Sequence, residues 1–513
     1  MNGARSLVHT LRAAGIELCF ANPGTSEMHF VAALDETDGI QSVLGLQENV
    51  VTGMADGYYR IAGIPACTLL HCGPGLANGL GNLHNARRAR SGIVNVVGDQ
   101  ATHHRPLDAP LTADTDSLAR TVSSWVRTSS DARHVGHDAA AAVQAARTKP
   151  GQIATLILPS DVSWNEGGVV AEVLRSPAPP PVDPFAIQKV AQTLRCGSRV
   201  LILLDGQGTG ARSQKLAWRI AKATDASVMV SYGVSHFPRG RDSIPLERIP
   251  YVSAQATQVL SEFEHIVLVN SSAPVSFFAH PGRPSTLYRP ETQVHVLTRF
   301  DQDSDEALQA LADELGAREV GFPNVGPRPV PASGAPTPEG LAQTIAALMP
   351  DNAIVSDESV SYGRSFYQYT HAAAPHEWLH LTGGAIGDGL PVATGAAIGA
   401  GRRRRVISLQ ADGSAMYSLQ SLWTQARERL PITTVLLNNR KYSILIEEYK
   451  NVGAKLGTTA MNMLDLGNPS LDWVKIANGL GVEAAKATNL EQLADLLNQS
   501  FKDPGPFLIE LMV

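Results

Sequence analysis

Two proline-dense stretches divide this chain into three blocks, and each block alternates short β-rich runs with longer helical runs. The first break runs from Ser176 to Pro184. The second runs from Gly321 to Pro338 and carries six prolines. Neither can continue a helix or a central strand, because proline lacks a backbone donor and its ring clashes with the preceding turn. The alternation between the breaks calls for parallel strands joined by helical crossovers, with helices on both faces of each sheet. The expected fold class is therefore α/β, with three domains of parallel sheets flanked by helices, near residues 1–175, 185–320 and 335–513. In the first block the expected strands are Glu17–Ala21, Ser42–Leu46, Ala66–His71 and Ile93–Gly98. The helices between them are expected over Ser26–Leu34, Val50–Arg60 and Gly73–Arg88. In the second block Arg199–Leu204 and His265–Asn270 read as strands. No residue-level repeat relates the first block to the third.

Composition removes several classes of function. The 513 residues carry 42 basic and 48 acidic side chains, a net charge of −6, so no basic field for nucleic acid is present. No apolar stretch approaches the ~18 residues that a membrane span needs. Met1–Phe20 is interrupted by Arg5, His9, Arg12 and Glu17 and reads as a first amphipathic helix, not a signal peptide. Cys19, Cys67, Cys72 and Cys196 include no CxxC pair. A disulfide framework and a structural zinc site are not expected, and a reducing, cytoplasmic setting is.

The third block carries the chemistry. Arg405–Gln410 reads as a strand, Ala411-Asp-Gly-Ser414 as a sharp turn, and Met416–Glu428 as a helix. A new strand from Pro431-Ile432 ends at Asn438-Asn439. A parallel crossover places both strand ends on one edge of the sheet, so Asp412 and Asn439 converge where such sheets bind ligands. Carboxylate and amide oxygens are hard donors suited to magnesium or calcium. Gly413 and Ser414 open a helix, whose free N–H groups favour an anion. A divalent cation with a diphosphate fits this arrangement. An isolated Asp-Gly-Ser is usually only a capped turn. Ala55-Asp56-Gly57, with no strand before it, is of that plain kind.

The ordered set of strand, Asp-Gly-Ser, helix, strand and Asn-Asn resembles the signature of thiamine diphosphate enzymes. Nearly the whole chain is similar to the acetolactate synthase and benzoylformate decarboxylase superfamily, in the domain order pyrimidine-binding, central, diphosphate-binding. The resemblance implies thiamine diphosphate and Mg2+ as cofactors. It implies Asp412, Asn439 and the backbone carbonyl of Lys441 as metal ligands, and Gly413, Ser414, Tyr442 and Ser361 as cofactor contacts. Ala411 stands where the family usually has glycine. Glu48, within Leu44-Gly-Leu-Gln-Glu-Asn-Val-Val-Thr-Gly-Met-Ala-Asp-Gly57, matches the glutamate that activates the cofactor. Its plainer reading is a first-turn acid facing the helix dipole. In Gly383-Gly-Ala-Ile-Gly-Asp-Gly-Leu-Pro391 the resemblance implies that the Gly384 carbonyl accepts from the cofactor's amino group. Ile386 is implied to hold the cofactor bent.

On the substrate side, Asn22-Pro-Gly-Thr25 matches a loop that places a small hydroxyl near the substrate, although Thr25 reads equally as a helix N-cap. His71 aligns with a catalytic histidine of benzoylformate decarboxylase, and an imidazole suits proton relay near neutral pH. His103 and His104 leave the fourth strand and are candidates for proton transfer or for a solvated loop. His280 is a further candidate from the central block. Glu448 replaces a tryptophan that shapes the second-substrate pocket of acetolactate synthases, and its charge disfavours a second anionic 2-oxo acid.

The implied activity is decarboxylation or carboligation of a 2-oxo acid through a C2 ylide and an enamine, in a lyase or transferase. The implied assembly is a homodimer or homotetramer with active sites at subunit interfaces. One rival is an FAD-carrying synthase or oxidase. Asp205-Gly-Gln-Gly-Thr-Gly210 follows a strand, but no FAD-binding motif of the synthases is evident and FAD is not expected. Another is a thiamine diphosphate lyase with a donor other than a 2-oxo acid. A Rossmann oxidoreductase would explain the βα rhythm but not Asp412 with Asn439. A catalytically silent homologue would have no need of Glu48 and both metal ligands.

Overall fold

The computed structural model describes the backbone of residues 1–513. Its strands form three sheets. The first contains β1 (Leu18–Asn22), β2 (Gln41–Leu44), β3 (Ala66–Leu70), β4 (Ile93–Asp99), β5 (Trp125–Thr128) and β6 (Ile153–Pro159). All its pairings are parallel, in the order β2-β1-β3-β4-β6-β5. The second block supplies β7 (Val200–Leu204), β8 (Ser227–Val230), β9 (His236–Arg239), β10 (Glu247–Arg248), β11 (His265–Val269) and β12 (Gln293–Thr298). Five of these form a parallel sheet in the order β10-β8-β7-β11-β12. The last block supplies β13 (Ala353–Glu358), β14 (His376–His380), β15 (Val406–Ala411), β16 (Ile432–Asn438), β17 (Glu483–Ala487) and β18 (Phe507–Met512).

The third sheet runs β17-β18-β16-β15-β13-β14-β9. Apart from β9, its strand order repeats that of the first sheet, a kinship the residues themselves do not display. β9 comes from the middle block and pairs antiparallel with β14, so one edge departs from the expected parallel pattern. Parallel strands need helical cover on both faces, and the inner strands accordingly read as continuous apolar runs. β3, β6 and β16 are buried at every position. The four-residue β2 and β5, both at sheet edges, are partly exposed.

The first and third sheets are locked together by two helices, Glu48–Ala62 and Gly389–Gly399. Their crossing is lined with glycine. A Cβ on Gly57 would stand 2.1 Å from the Val392 carbonyl oxygen, and one on Gly395 would stand 1.9 Å from that of Met54. The backbones touch because these residues lack side chains, and a methyl group can enter only by separating the helices. The second apolar cluster of the core bridges the same junction, with Met54, Ala55 and Tyr58 packed among Val392, Ala393 and Ala396. Gly395→Ala is therefore expected to destabilise the protein by about 1–3 kcal/mol, as overpacking does elsewhere. Denaturant unfolding with an unchanged m-value checks this. A loss below about 0.5 kcal/mol would contradict the tight crossing. A buried ion pair completes the junction: Arg60 binds Asp56 within the helix and donates to the His380 carbonyl oxygen at 2.8 Å. Asp56, the plain Asp-Gly of the sequence, is thus structural.

Candidate active site

In open α/β sheets, ligands bind beyond the strand C-termini, where neighbouring strands run off to opposite sides. In the first sheet that point lies between β1 and β3, and in the third between β13 and β15. Asp412, Asn439 and the glycine-rich loop lie about the third-sheet point, and Glu48, His71 and Thr25 about the first-sheet point.

At the third-sheet point, Asp412 follows β15 directly and is the first residue of a short helical turn, Asp412–Ala415. The helix expected over Met416–Glu428 begins four residues later, at Gln420, after a turn over residues 416–419, and ends at Arg427. Asp412 is 3% exposed, and among the described residues no ion pair reaches it. One carboxylate oxygen accepts from Gly413 N at 2.8 Å and the other from Arg440 N at 2.8 Å. Burial still pushes its carboxyl above the ordinary range, despite these hydrogen bonds. A buried carboxylate with free lone pairs and no basic partner fits a divalent cation. Asn439 directly follows β16. Its side-chain oxygen accepts from Lys441 N at 3.0 Å and its nitrogen donates to Ser443 Oγ at 2.9 Å. Asp412 and Asn439 are thus joined through the intervening Arg440 backbone. Ser414 Oγ donates to the Ala411 carbonyl and accepts from Gln410. The ring of Tyr442 lies over Gly413, where a Cβ would stand 2.5 Å from Cε1. Ser361 precedes a 3-10 turn, Tyr362–Ser365, and among the described residues its hydroxyl makes no capping bond.

The glycine-rich loop after β14 is clamped from two sides. Asn85 of the helix Cys72–Ala89 donates to the Ala385 carbonyl at 2.7 Å and accepts from Ala385 N at 3.2 Å. Asn82 donates to the Gly387 carbonyl at 3.1 Å. On the other side Glu358, the last residue of β13, accepts from the N–H groups of Gly387, Asp388 and Gly389. Burial raises the Glu358 carboxyl, and these donors and Gln410 oppose the rise. Ile386 stands half-buried between the clamped residues. Gly384 has φ +79°, a left-handed conformation suited to glycine, and Phe277 of the central block covers it. The sequence reading missed Asn82, Asn85 and Glu358. Of these only Glu358 left a trace, as an acid at the end of an apolar strand.

At the first-sheet point, Glu48 begins the helix Glu48–Ala62, two residues earlier than expected. Its carboxylate is buried and accepts from Asn78 Nδ2 at 3.1 Å. Gly75 separates it from His71: a Cβ there would lie 3.2 Å from Glu48 Oε1 and 3.4 Å from His71 Cβ. His71 follows β3, and its Nδ1 lies 3.0 Å from an oxygen of Glu27. Glu27 is 1% exposed and also accepts from Gly24 N at 2.7 Å. Among the described residues His71 Nε2 has no hydrogen-bond partner. Glu27 is the important omission of the sequence reading. Its spacing from Gly24 announces a helix start but not a pairing with His71.

Thr25 is exposed and begins a 3-10 turn, Thr25–Glu27; it caps no helix, since Gly24 stands at the N-cap of that turn and Glu27 at the N-cap of the following helix, Met28–Asp35. The N-cap alternative for Thr25 is thereby removed. A cleft of ≈ 300 Å³ is lined by Thr25, Ser26, Cys72, Gln100, His103 and His104, among others. Burial pushes the Cys72 thiol up to about 11. His280 pairs with Glu448 at 2.6 Å, joining the central block to the helix Ser443–Asn451. The cluster Asp205–Gly210 lies at the β7/β11 switch point as a 3-10 turn, Gly206–Thr209. The Phe300 ring lies close to it, and Arg90 stacks on that ring.

Comparison with known proteins agrees with this geometry. Residues 1–119 match the thiamine pyrophosphate enzyme N-terminal TPP binding domain, and residues 360–511 match the C-terminal TPP binding domain. The chain is 47% identical over 515 residues to the "Putative acetolactate synthase large subunit IlvX" of Mycobacterium tuberculosis, covering 100% of this chain and 99% of the relative. It is 29% identical over 533 residues to benzoylformate decarboxylase of Pseudomonas aeruginosa, covering 98% and 97%. The solved 4-hydroxybenzoylformate decarboxylase of Rhodococcus jostii shares the fold, with a TM-score of 0.86 at 24% identity over 99% of this chain and 98% of that one. Among the described residues, no helix is long and apolar enough to cross a membrane. With both cofactor-binding domains matched and full-length relatives of this kind, the chain belongs to the thiamine diphosphate-dependent enzymes, in the superfamily of acetolactate synthase and benzoylformate decarboxylase.

Proposed function

We propose that this protein is a thiamine diphosphate- and Mg2+-dependent 2-oxo acid decarboxylase that releases an aldehyde. The observation that carries this reading is the buried Glu27 carboxylate holding His71 at a sheet switch point, with Nε2 unpartnered among the described residues. A carboxylate on Nδ1 fixes the imidazole's tautomer and orientation, so that the other nitrogen can take or return a proton.

Asp412, the Asn439 side chain and the Lys441 carbonyl would hold the cation. The N–H groups of the Asp412–Ala415 turn would face the diphosphate, and Tyr442 and Ser361 would flank it. The Gly384 carbonyl and Ile386, on a loop clamped by Asn82, Asn85 and Glu358, would orient the cofactor. When bound, thiamine diphosphate supplies the electron sink for decarboxylation. Glu48 would hold the activating proton. Thr25 would receive the substrate carboxylate, and His103 and His104 would line the approach to it. The groups around the Glu48 carboxylate, Asn78 and Gly75, belong to the first block. We infer that a second copy brings its own Asp412 turn to this Glu48, so the working unit is a homodimer or a pair of homodimers.

The test is carbon dioxide release from pyruvate, 2-oxobutyrate, phenylpyruvate and benzoylformate, with and without each cofactor. Release that requires both cofactors supports the reading, and no release from cofactor-loaded protein overturns it. Glu27→Gln is expected to lower kcat about 10²-fold, at the lower end of the ~10²–10⁴ that a positioned acid–base group supplies. The KM should change little, and the pH–rate profile should shift with the histidine limb. An unchanged profile would remove His71 from the reaction. A carboligase reading is favoured by the 47% identical relative's name. It predicts a 2-hydroxy ketone or 2-acetolactate in place of the aldehyde, which product analysis separates.

A further inference from the structure

Glu27, His71 and Cys72 offer a carboxylate oxygen, an imidazole nitrogen and a thiol sulfur that all lie within 4.8 Å of one another. They are the one such set among the described residues. The fold places them there independently, Glu27 on the turn after β1 and the other two at the end of β3. Glu27 and Cys72 are buried. Cys72 adopts φ +52°, a conformation that costs a non-glycine residue free energy. The Ser26 hydroxyl stands at the focus of the set. It lies 3.2 Å from Cys72 Sγ and 3.3 Å from His71 Nδ1, and it is hydrogen-bonded to Glu27.

We propose that Glu27, His71 and Cys72 form a zinc-binding site whose occupation silences the enzyme. Sulfur with nitrogen and one carboxylate is a borderline-soft donor set that favours zinc or cobalt over magnesium. Tetrahedral zinc, with ligand bonds of about 2.0–2.3 Å, sets donor atoms roughly 3.3–3.8 Å apart. His71 Nδ1 and Glu27 Oε2 are already at 3.0 Å, and Cys72 Sγ lies within 4.8 Å of both, so rotation of Ser26 Oγ out of the focus and a closure of up to about 1 Å by the sulfur complete the geometry. The fourth position opens to the cleft lined by Thr25, His103 and His104. On binding, the Cys72 S–H bond breaks, its proton passes to solvent and a sulfur lone pair forms the S–Zn bond; the proton that His71 Nδ1 shares with Glu27 moves through solvent to Nε2, and the freed Nδ1 and Glu27 oxygen lone pairs form the N–Zn and O–Zn bonds. No electron is transferred. The inhibitory consequence rests on the decarboxylase reading, because zinc occupies Glu27 and His71; the binding itself does not.

The test uses the holoenzyme saturated with thiamine diphosphate and Mg2+, titrated with Co2+ as a spectroscopic probe. One equivalent per chain is expected to produce a near-ultraviolet thiolate-to-cobalt band. The Asp412–Asn439 site has no sulfur and cannot produce it. Zn2+ should displace the band and stop carbon dioxide release over the same concentration range. Cys72→Ser should abolish the band, and His71→Asn, which removes a direct ligand, should weaken binding by more than the ~10- to 100-fold that loss of an outer-shell partner costs. Ser26→Ala, which only clears the focus, should retain both band and binding. Absence of the band, or its persistence in Cys72→Ser, would overturn the site. A band without inhibition would leave the site standing and overturn the role given to His71 in the reaction.

Discussion

Exchanging Glu48 for glutamine is expected to lower kcat by about 10²–10⁴-fold, the range for loss of a positioned acid or base, while cofactor affinity stays within a few-fold. Glutamine keeps the shape of the side chain and can still accept from Asn78, but it cannot carry a proton. The magnitude separates two explanations of the residue. A first-turn acid that served only the helix dipole would contribute about 0.3–1 kcal/mol of stability and nothing to turnover. The carboxylate is 7% exposed and is aimed at Asn78 and Gly75, beside His71, at a sheet edge where ligands bind. Steady-state kinetics with saturating cofactors, together with thermal unfolding, give the answer. A variant within tenfold of the parent in kcat, but less stable, would return Glu48 to a structural role.

Replacing Asp412 with alanine is expected to abolish the joint effect of Mg2+ and thiamine diphosphate on thermal stability. With the cofactor at 100 times its dissociation constant, binding adds about 2.7 kcal/mol. A 100-fold loss of affinity leaves only about 0.4 kcal/mol of that. The cause is the burial of Asp412 without a cationic partner among the described residues. Its charge is costly there until a dication offsets the burial, and without the carboxylate the cation loses its strongest ligand. Because burial raises the Asp412 carboxyl, the unloaded variant should be at least as stable as the unloaded parent. Melting curves with and without both cofactors measure these differences. An undiminished cofactor-induced rise in Tm would move the metal site elsewhere.

Much of this arrangement was legible because it is local. The strand, Asp-Gly-Ser turn and following strand lie together along the chain, so Asp412 and Asn439 could be paired before any tertiary contact was known. Glu48 stood out only through the family resemblance, because an acid in the first turn of a helix is by itself an ordinary partner of the helix dipole. Glu27 was not legible, because its partner His71 lies across two βα units, and spacing carries no signal for such a pair. The clamps made by Asn82 and Asn85 reach into a different sheet, and an asparagine in a helix announces nothing about the loop it will grip. β9 escaped notice because a four-residue strand containing Pro238 takes its conformation from the edge it joins. The late start of the helix expected from Met416 shows the same limit, since periodicity reveals a helical face but not where its first turn forms.

The glycine crossing has a consequence of leverage. Glu48 and Gly57 lie on one stiff rod, about 13 Å apart at 1.5 Å per residue. The fulcrum is the point where Gly57 presses on Val392. A tilt of about 5° there swings the far end by roughly 1 Å, a misplacement that can cost ~10²-fold in rate. The aim of the carboxylate is therefore set by a bearing surface remote from the chemistry. Substitutions at that bearing act as changes in alignment, and an enzyme weakened in this way has lost accuracy with all its reacting groups still in place.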